Sequence, residues 1–229
     1  MANRYNTRSA LAAAVYAFEQ NNEYILKEAQ LDPDNGVVLN YPNKTIVYNY
    51  FANDPDPQVP CGISPGDLEV ADQLKDYLQQ AAIMQALQSS DGQVNEFLNS
   101  VNQILEKEEV PARDIGILIW APKLALDHQA QEKARVAISN LGSTSQYLAR
   151  IGDKIELHFT LIDKRFIKNA ECYLVQGHDE HGNLVSYWAR EERKIFNNVK
   201  ITAKVKGHRH DKYRNAKFTM INFVKAVTI

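Results

Sequence analysis

The chain has 229 residues, of which 45% are hydrophobic, 9% aromatic and 24% charged, with a formal net charge of −2. That balance excludes an intrinsically disordered chain, and no run approaches the roughly 18 consecutive apolar residues of a membrane span. Two cysteines, Cys61 and Cys172, with no Cys-x-x-Cys spacing, exclude a disulfide framework and a zinc knuckle; a reducing cytoplasm is the simplest compartment, and no cofactor is expected.

Ser9 is expected to cap a first helix running to about Leu31, with Leu11, Val15, Phe18, Ile25 and Leu26 at approximate helical spacing. Its Ala-rich start reads as an amphipathic helix rather than a signal segment, because Glu19, Asn21, Asn22 and Glu23 follow at once. Asp32 to Gly36 is a turn. Val37 to Tyr41 and Thr45 to Phe51 are β-branched and aromatic, and Pro42 to Lys44 between them completes an expected hairpin. After a proline-rich loop, Ser64 and Pro65 open a helix carrying Leu68, Ala71, Leu74, Leu78, Ala81 and Leu87, which Ser90 to Gly92 breaks. Val94, Phe97, Leu98, Val101, Ile104 and Leu105 form one apolar stripe on the next helix, a core face or an oligomer seam. Ile115 to Trp120 is apolar throughout and therefore buried, as helix or strand. Pro122 to Leu141 reads as a helix ending at Gly142, a residue suited to the C′ position.

Beyond Gly142 the pattern changes from period 3.6 to period 2. Ile155, Leu157, Phe159 and Leu161 alternate with Glu156, His158 and Thr160. Glu171 to Gln176 makes a second strand, Asp179 to Asn183 a hairpin turn with Gly182 where positive φ is wanted, and Leu184 to Arg190 a third strand. Val199, Ile201, Ala203 and Val205 alternate with Lys200, Thr202, Lys204 and Lys206, a half-buried strand with a cationic outer face, and Lys217 to Lys225 is the fifth. Five short strands point to a small barrel. The expected fold is therefore α+β: a mainly helical N-terminal domain with a β-hairpin, then a five-stranded OB-like β-barrel.

Charge divides at the same place. Residues 143–229 carry 16 Lys+Arg against 9 Asp+Glu, a net +7, and residues 1–142 carry 10 against 19, a net −9. The expected domains are thus an acidic one over 1–142, of unassigned role, and a basic one over 143–229. Such a division points to nucleic-acid contact by the basic part, or to two solvated surfaces of opposite sign. An OB-type barrel binds oligonucleotides with its strand 2–3 face and its 1–2 and 4–5 loops. On this strand count those loops are 163–169 and 207–215, the two most basic connections, each with an aromatic residue. Single-strand binders combine a cationic groove with aromatic platforms. The candidate phosphate contacts are Lys164, Arg165, Lys168, Arg209, Lys212 and Arg214; the candidate rings are Phe166, Tyr173, Trp188 and Tyr213, with core packing the alternative for Tyr173 and Trp188.

Residues 143–225, a little over a third of the chain, resemble an OB-like module found in bacteriophage proteins linked to DNA replication and recombination. The matching residues are Gly152 to Lys154, Asp179 to Asn183 with Trp188 after it, Ala203 to His208, Lys217 to Thr219, and Val224 with Lys225. Where that module usually reads Thr-Val-Lys-x-His, Ala203 and Lys204 depart from it. The resemblance implies binding of single-stranded nucleic acid, DNA in the first instance with RNA the open alternative, in the cytoplasm of an infected host, and implies no catalysis.

Other constellations are weaker. His178, His181, His208 and His210 with Asp179 or Asp211 would hold a metal only if their two loops approached each other, and no metal site is expected. Glu156, Asp163 and Lys164 have the residue types of a metal-dependent nuclease. Asp32, Asp34, Asp54, Asp56, Asp67, Asp72 and Asp76 offer an acidic surface for a basic protein partner, or simply occupy turns and helix N-termini. The expected function is sequence-tolerant binding of single-stranded nucleic acid, with an assembly role through the acidic domain as the alternative.

Overall fold

A computed structural model describes residues 3–88 and 95–227. The chain divides into two compact units, Met1–His128 and Gln129–Ile229. The division lies within a helix, upstream of the Gly142 at which composition and charge change.

In the first unit, β1 (Arg4–Asn6) leads into α1 (Thr7–Gln20). Asn6 caps α1, its Oδ1 accepting from the Ser9 N–H at 3.0 Å, so Ser9 lies inside the first turn and is not the expected cap. The alanines from Ala10 to Ala17 are buried together with Leu11, Val15 and Phe18. A helix buried on nearly all sides is a core element, and the small side chains let neighbouring helices approach it. α1 stops at Gln20, well short of Leu31. Asn22 and Glu23 take left-handed φ of 52° and 64°. The buried Asn21 amide donates to the Tyr41 carbonyl at 3.0 Å and to Asn43 Oδ1 at 2.9 Å, bonds that a continuing helix would break.

β2 (Gln30–Leu31) and β3 (Val38–Asn40) pair antiparallel across the Asp32 to Gly36 turn. The hairpin is therefore present with a different partner strand: Thr45 to Tyr50, expected as a strand, lies in α2 (Asn43–Tyr50). β-branched residues lose only a few tenths of a kcal/mol each in a helix. Burying Ile46 and Val47 stabilises by roughly 1.5–3 kcal/mol each, so packing against α1 decides the outcome.

α3 (Pro65–Gln88) opens with the expected signal: Ser64 Oγ accepts from the Asp67 N–H at 3.2 Å while Asp67 Oδ2 accepts from the Ser64 N–H at 2.5 Å. Leu87 is in this helix but exposed. The expected break at Ser90 to Gly92, and Val94, lie outside the described residues. In α4 (Glu96–Leu105), Leu98, Val101, Ile104 and Leu105 face the core, and Phe97 does not. β4 (Glu109–Pro111) pairs with β1, and the Ile115 to Trp120 segment begins as helix α5 (Ile115–Leu118) and turns through Ile119 and Trp120 into α6 (Ala121–Gly142).

The second unit holds the end of α6 and a five-stranded mixed sheet: β5 (Lys154–Ile167), β6 (Cys172–His178), β7 (Leu184–Ala189), β8 (Val199–Asp211) and β9 (Ala216–Ala226). The order is β5-β6-β7-β9-β8, and β8 pairs back to β5. The β7–β9 pairing is parallel and short, and the others are antiparallel. Ser145 reinforces the short pairing: its Oγ donates to the Lys217 carbonyl at 2.7 Å and accepts from the Leu184 N–H at 2.8 Å. Inside the sheet Leu157, Phe159, Val175, Val185, Tyr187, Ile201 and Ile221 form one core. Phe159 rests on Gly177, where a Cβ would lie 2.4 Å from its Cζ. The five expected strands are all present, but β5 and β8 run on to Ile167 and Asp211, through segments expected as loops.

Gly142 is the last helical residue and does not take the left-handed conformation expected of a C′ glycine. Its role is steric, since a Cβ there would lie 2.8 Å from Ala216 Cβ. This contact extends a second cluster in which Ile138 and Leu141 of α6 pack with Leu184, Ala216, Phe218 and Ile162. Alternation along β7 turns Leu184 away from Val185 and Tyr187, so α6 covers the outer face of the sheet at that end. Both cysteines are free thiols, and among the described residues no helix is long and apolar enough to cross a membrane.

Candidate nucleic-acid interface

The candidate residues lie on two hairpins. Lys164, Arg165 and Phe166 belong to β5 rather than to a loop, and only Lys168 occupies the turn that leads to β6. Arg209 belongs to β8, while Lys212, Tyr213 and Arg214 form the turn before β9. The ladders continue past the core because Phe166 pairs with Tyr173, Ile167 with Cys172, and Asp211 with Ala216. Charged residues on such extensions have the composition of loops, which is why alternation alone ends the strands early.

The strand register fixes where the hairpins stand. Tyr173 pairs with Ala189 at one end of β7; Leu184 at the other end pairs with Phe218, just after the Lys212 turn. The two turns therefore lie beyond opposite ends of β7, whose six residues span about 17 Å in five steps of 3.3 Å. The outer face between them is not uniformly open. Leu184 is buried under Ile138 and Leu141, and Ser186 is buried as well.

The open part is the Ala189 end. Arg165 pairs with Leu174, and Leu174 with Trp188, so the three side chains form one row on the outer face of β5, β6 and β7. Trp188 is 52% exposed and is thus not a core residue. Phe166 and Tyr173 pair one step nearer the turn, on the other side of the ribbon. Their rings meet edge to face, with centroids 5.1 Å apart, and Phe166 is 53% exposed. Tyr173 is half-buried against the core and supports Phe166. Tyr213 is fully exposed at the tip of the distant turn.

The cations differ in their engagement. Lys164 Nζ contacts Glu192 at 2.6 Å, Arg165 lies 3.7 Å from Asp163, and Arg209 lies 4.0 Å from Asp211. The exposed Lys164–Glu192 pair contributes about 0–1 kcal/mol and exchanges readily for a phosphate, and the long Arg165 and Arg209 contacts leave their guanidinium groups exposed. Lys168, Lys212 and Arg214 form no ion pair among the described residues. Beside the site, Arg193 hydrogen-bonds Glu191 and holds its carboxyl below the usual range, so that carboxylate is neutralised locally.

The other constellations do not assemble. His178 and His181 belong to the β6–β7 hairpin and His208 and His210 to β8, which β7 and β9 separate on one side of the sheet and β5 on the other. His208 stacks on Tyr147 with centroids 4.4 Å apart, and Asp179 is used by its own turn, accepting from the His181 and Asn183 N–H groups. Among the described residues no three His, Cys, Asp or Glu side chains gather as metal ligands. Glu156 pairs with Lys200, and seven residues of extended β5, about 23 Å, separate it from Asp163. Sequence reasoning missed Leu174, which completes the open row, and Phe223 on β9. Period 2 from the buried Ile221 would turn Phe223 inward, yet it is exposed, because the β8–β9 register shifts beside it.

Comparison with family models, with curated proteins and with solved structures gives no match for this chain.

Proposed function

We propose that the second unit is an OB-like barrel that binds single-stranded nucleic acid, DNA in the first instance, without sequence preference and without catalysis. The setting we propose is phage-type replication or recombination in the cytoplasm of a host. The OB-like reading is supported by the strand order, in which the fifth strand inserts between the third and fourth and runs parallel to the third. The observation that carries the function is the outward row of Arg165, Leu174 and Trp188, an exposed indole beside a cation on the strand 2–3 face. Lys164, Arg165, Lys168, Arg209, Lys212 and Arg214 neutralise phosphates; Phe166, Trp188 and Tyr213 stack bases, with Tyr173 behind Phe166. Because α6 covers the Leu184 end, the strand lies on the Trp188 end and the Lys212 turn contacts only its continuation.

One stacked base contributes roughly 1–3 kcal/mol, so Trp188→Ala weakens oligothymidine binding about five-fold to a hundred-fold and leaves the melting temperature near wild type. An unchanged affinity in fluorescence anisotropy would sink the proposal. A second reading, assembly with a basic protein through the acidic first unit, is favoured by the charge division. It predicts that a chain unable to bind oligonucleotide still captures that partner.

A further inference from the structure

A second cationic surface lies elsewhere on the same sheet. The outer face of β5, β8 and β9 forms an open groove of about 560 Å³ lined by Lys154, Lys204, Lys225, Thr202, Glu156 and Phe223. The register explains the grouping: Lys154 pairs with Lys204, and Thr202 pairs with both Glu156 and Lys225. Glu156 is already neutralised by Lys200, whereas Lys154, Lys204 and Lys225 form no ion pair among the described residues. Three unneutralised ammonium groups in one groove attract an anion with several charges.

Phe223 adds a second and independent observation. The β8–β9 register shifts between Thr202 and Lys204, and Phe223 stands in the bulge opposite, with φ of +54°. A bulky residue in the left-handed region is a conformational outlier, and a bulge at that position favours glycine. The ring so held is 75% exposed and borders the lysines. An uncovered aromatic side chain kept in a disfavoured conformation has no packing role to account for it. Backbone outliers of this kind gather at functional sites.

We infer that this groove is a second contact track for the same single strand, in which Lys154, Lys204 and Lys225 hold phosphates and Phe223 stacks a base. The inference rests on the proposed function and extends it. β5 belongs to both faces, with Arg165 near its end and Lys154 at its start, so the proposed single strand spans about 36 Å of β5 between the Arg165–Trp188 row and the groove.

The full chain is titrated with labelled oligothymidine longer than about 16 nucleotides, the upper site size of one such fold, over a series of salt concentrations. Each phosphate contact on a single strand contributes about −0.7 to the slope of log affinity against log salt, so Lys154→Ala, Lys204→Ala and Lys225→Ala together make it shallower by about 2. Phe223→Gly lowers affinity about five-fold to a hundred-fold. It leaves the melting temperature unchanged or raises it, because glycine suits the left-handed conformation. If wild type binds and Trp188→Ala weakens binding but the triple variant keeps the wild-type slope, the groove is not a track. A fall in both affinity and melting temperature for Phe223→Gly assigns the ring a structural role and also overturns the inference. So does a triple variant that loses binding to polyglutamate while retaining oligothymidine at full strength, since the groove then serves an acidic polypeptide. Failure of wild type itself to bind removes the proposed function, and the track with it.

Discussion

At the residue scale, side chains in the second unit separate into those that hold the sheet and those that face outward. Tyr187 and Trp188 are adjacent, yet one is buried and the other exposed. The Tyr187 hydroxyl donates to the Lys194 carbonyl at 3.2 Å and accepts from the Phe196 N–H at 3.0 Å, tying down the crossing from β7 to β8. Tyr187→Phe orphans that amide and lowers stability by about 1–2 kcal/mol in urea titration. Burial also pushes the Tyr187 phenol up from its ordinary value. A raised folded-state pKa means the stabilisation is complete below the ordinary phenol range and is lost as pH rises through the folded value. Alkaline unfolding is therefore expected to be less steep in Tyr187→Phe than in wild type. Gly177→Ala places a Cβ 2.2 Å from the Thr160 carbonyl oxygen as well as against Phe159, so the loss is about 3 kcal/mol, and a variant as stable as wild type would contradict the packing described. Trp188 was legible as a candidate because it is an aromatic residue on the third strand, with core packing an equal alternative that only its exposure decides. Phe223 was not, because a register shift leaves no mark in residue type.

Elements were legible where local chemistry and packing agree. The Ser64 cap, the Asp179 turn and the period-2 strands were readable from the sequence for that reason. Thr45 to Tyr50 reads as strand locally, and only the presence of α1 makes burial of Ile46 and Val47 favour helix. The ends of β5 and β8 failed differently: their charged residues continue the ladders with outward side chains, those of β8 opposite buried Phe218 and Ala216 of β9, so their own alternation carries no burial signal. α6 gives the element-scale prediction. Ile138 is fully buried against Leu184 and Phe218, so Ile138→Ala lowers stability by about 2–5 kcal/mol on thermal or urea unfolding. A change below about 0.5 kcal/mol would mean that α6 does not cover the sheet.

For the whole molecule, the charge division read from composition coincides with a structural one only approximately, since the compact units separate at His128 and Gln129 rather than after Gly142. The reason is α6, whose last turns join the second unit through Ile138 and Leu141 although helical periodicity continues unbroken from Ala121. The candidate site was legible as two basic segments on a strand count. What the sequence lacked was the register that sets them at opposite ends of β7 and the helix that covers the face between them.

Under the proposed function, a cationic face with exposed rings binds a single strand through its phosphates and stacked bases. The most direct measurement is the affinity of the full chain for oligothymidine by fluorescence anisotropy as salt is raised. With six contacts, from Lys164, Arg165, Lys168, Arg209, Lys212 and Arg214, the slope of log affinity against log salt is about −4, and the groove lysines steepen it further. Binding that is undetectable at low salt, or that does not change with salt, would rule out the proposed function.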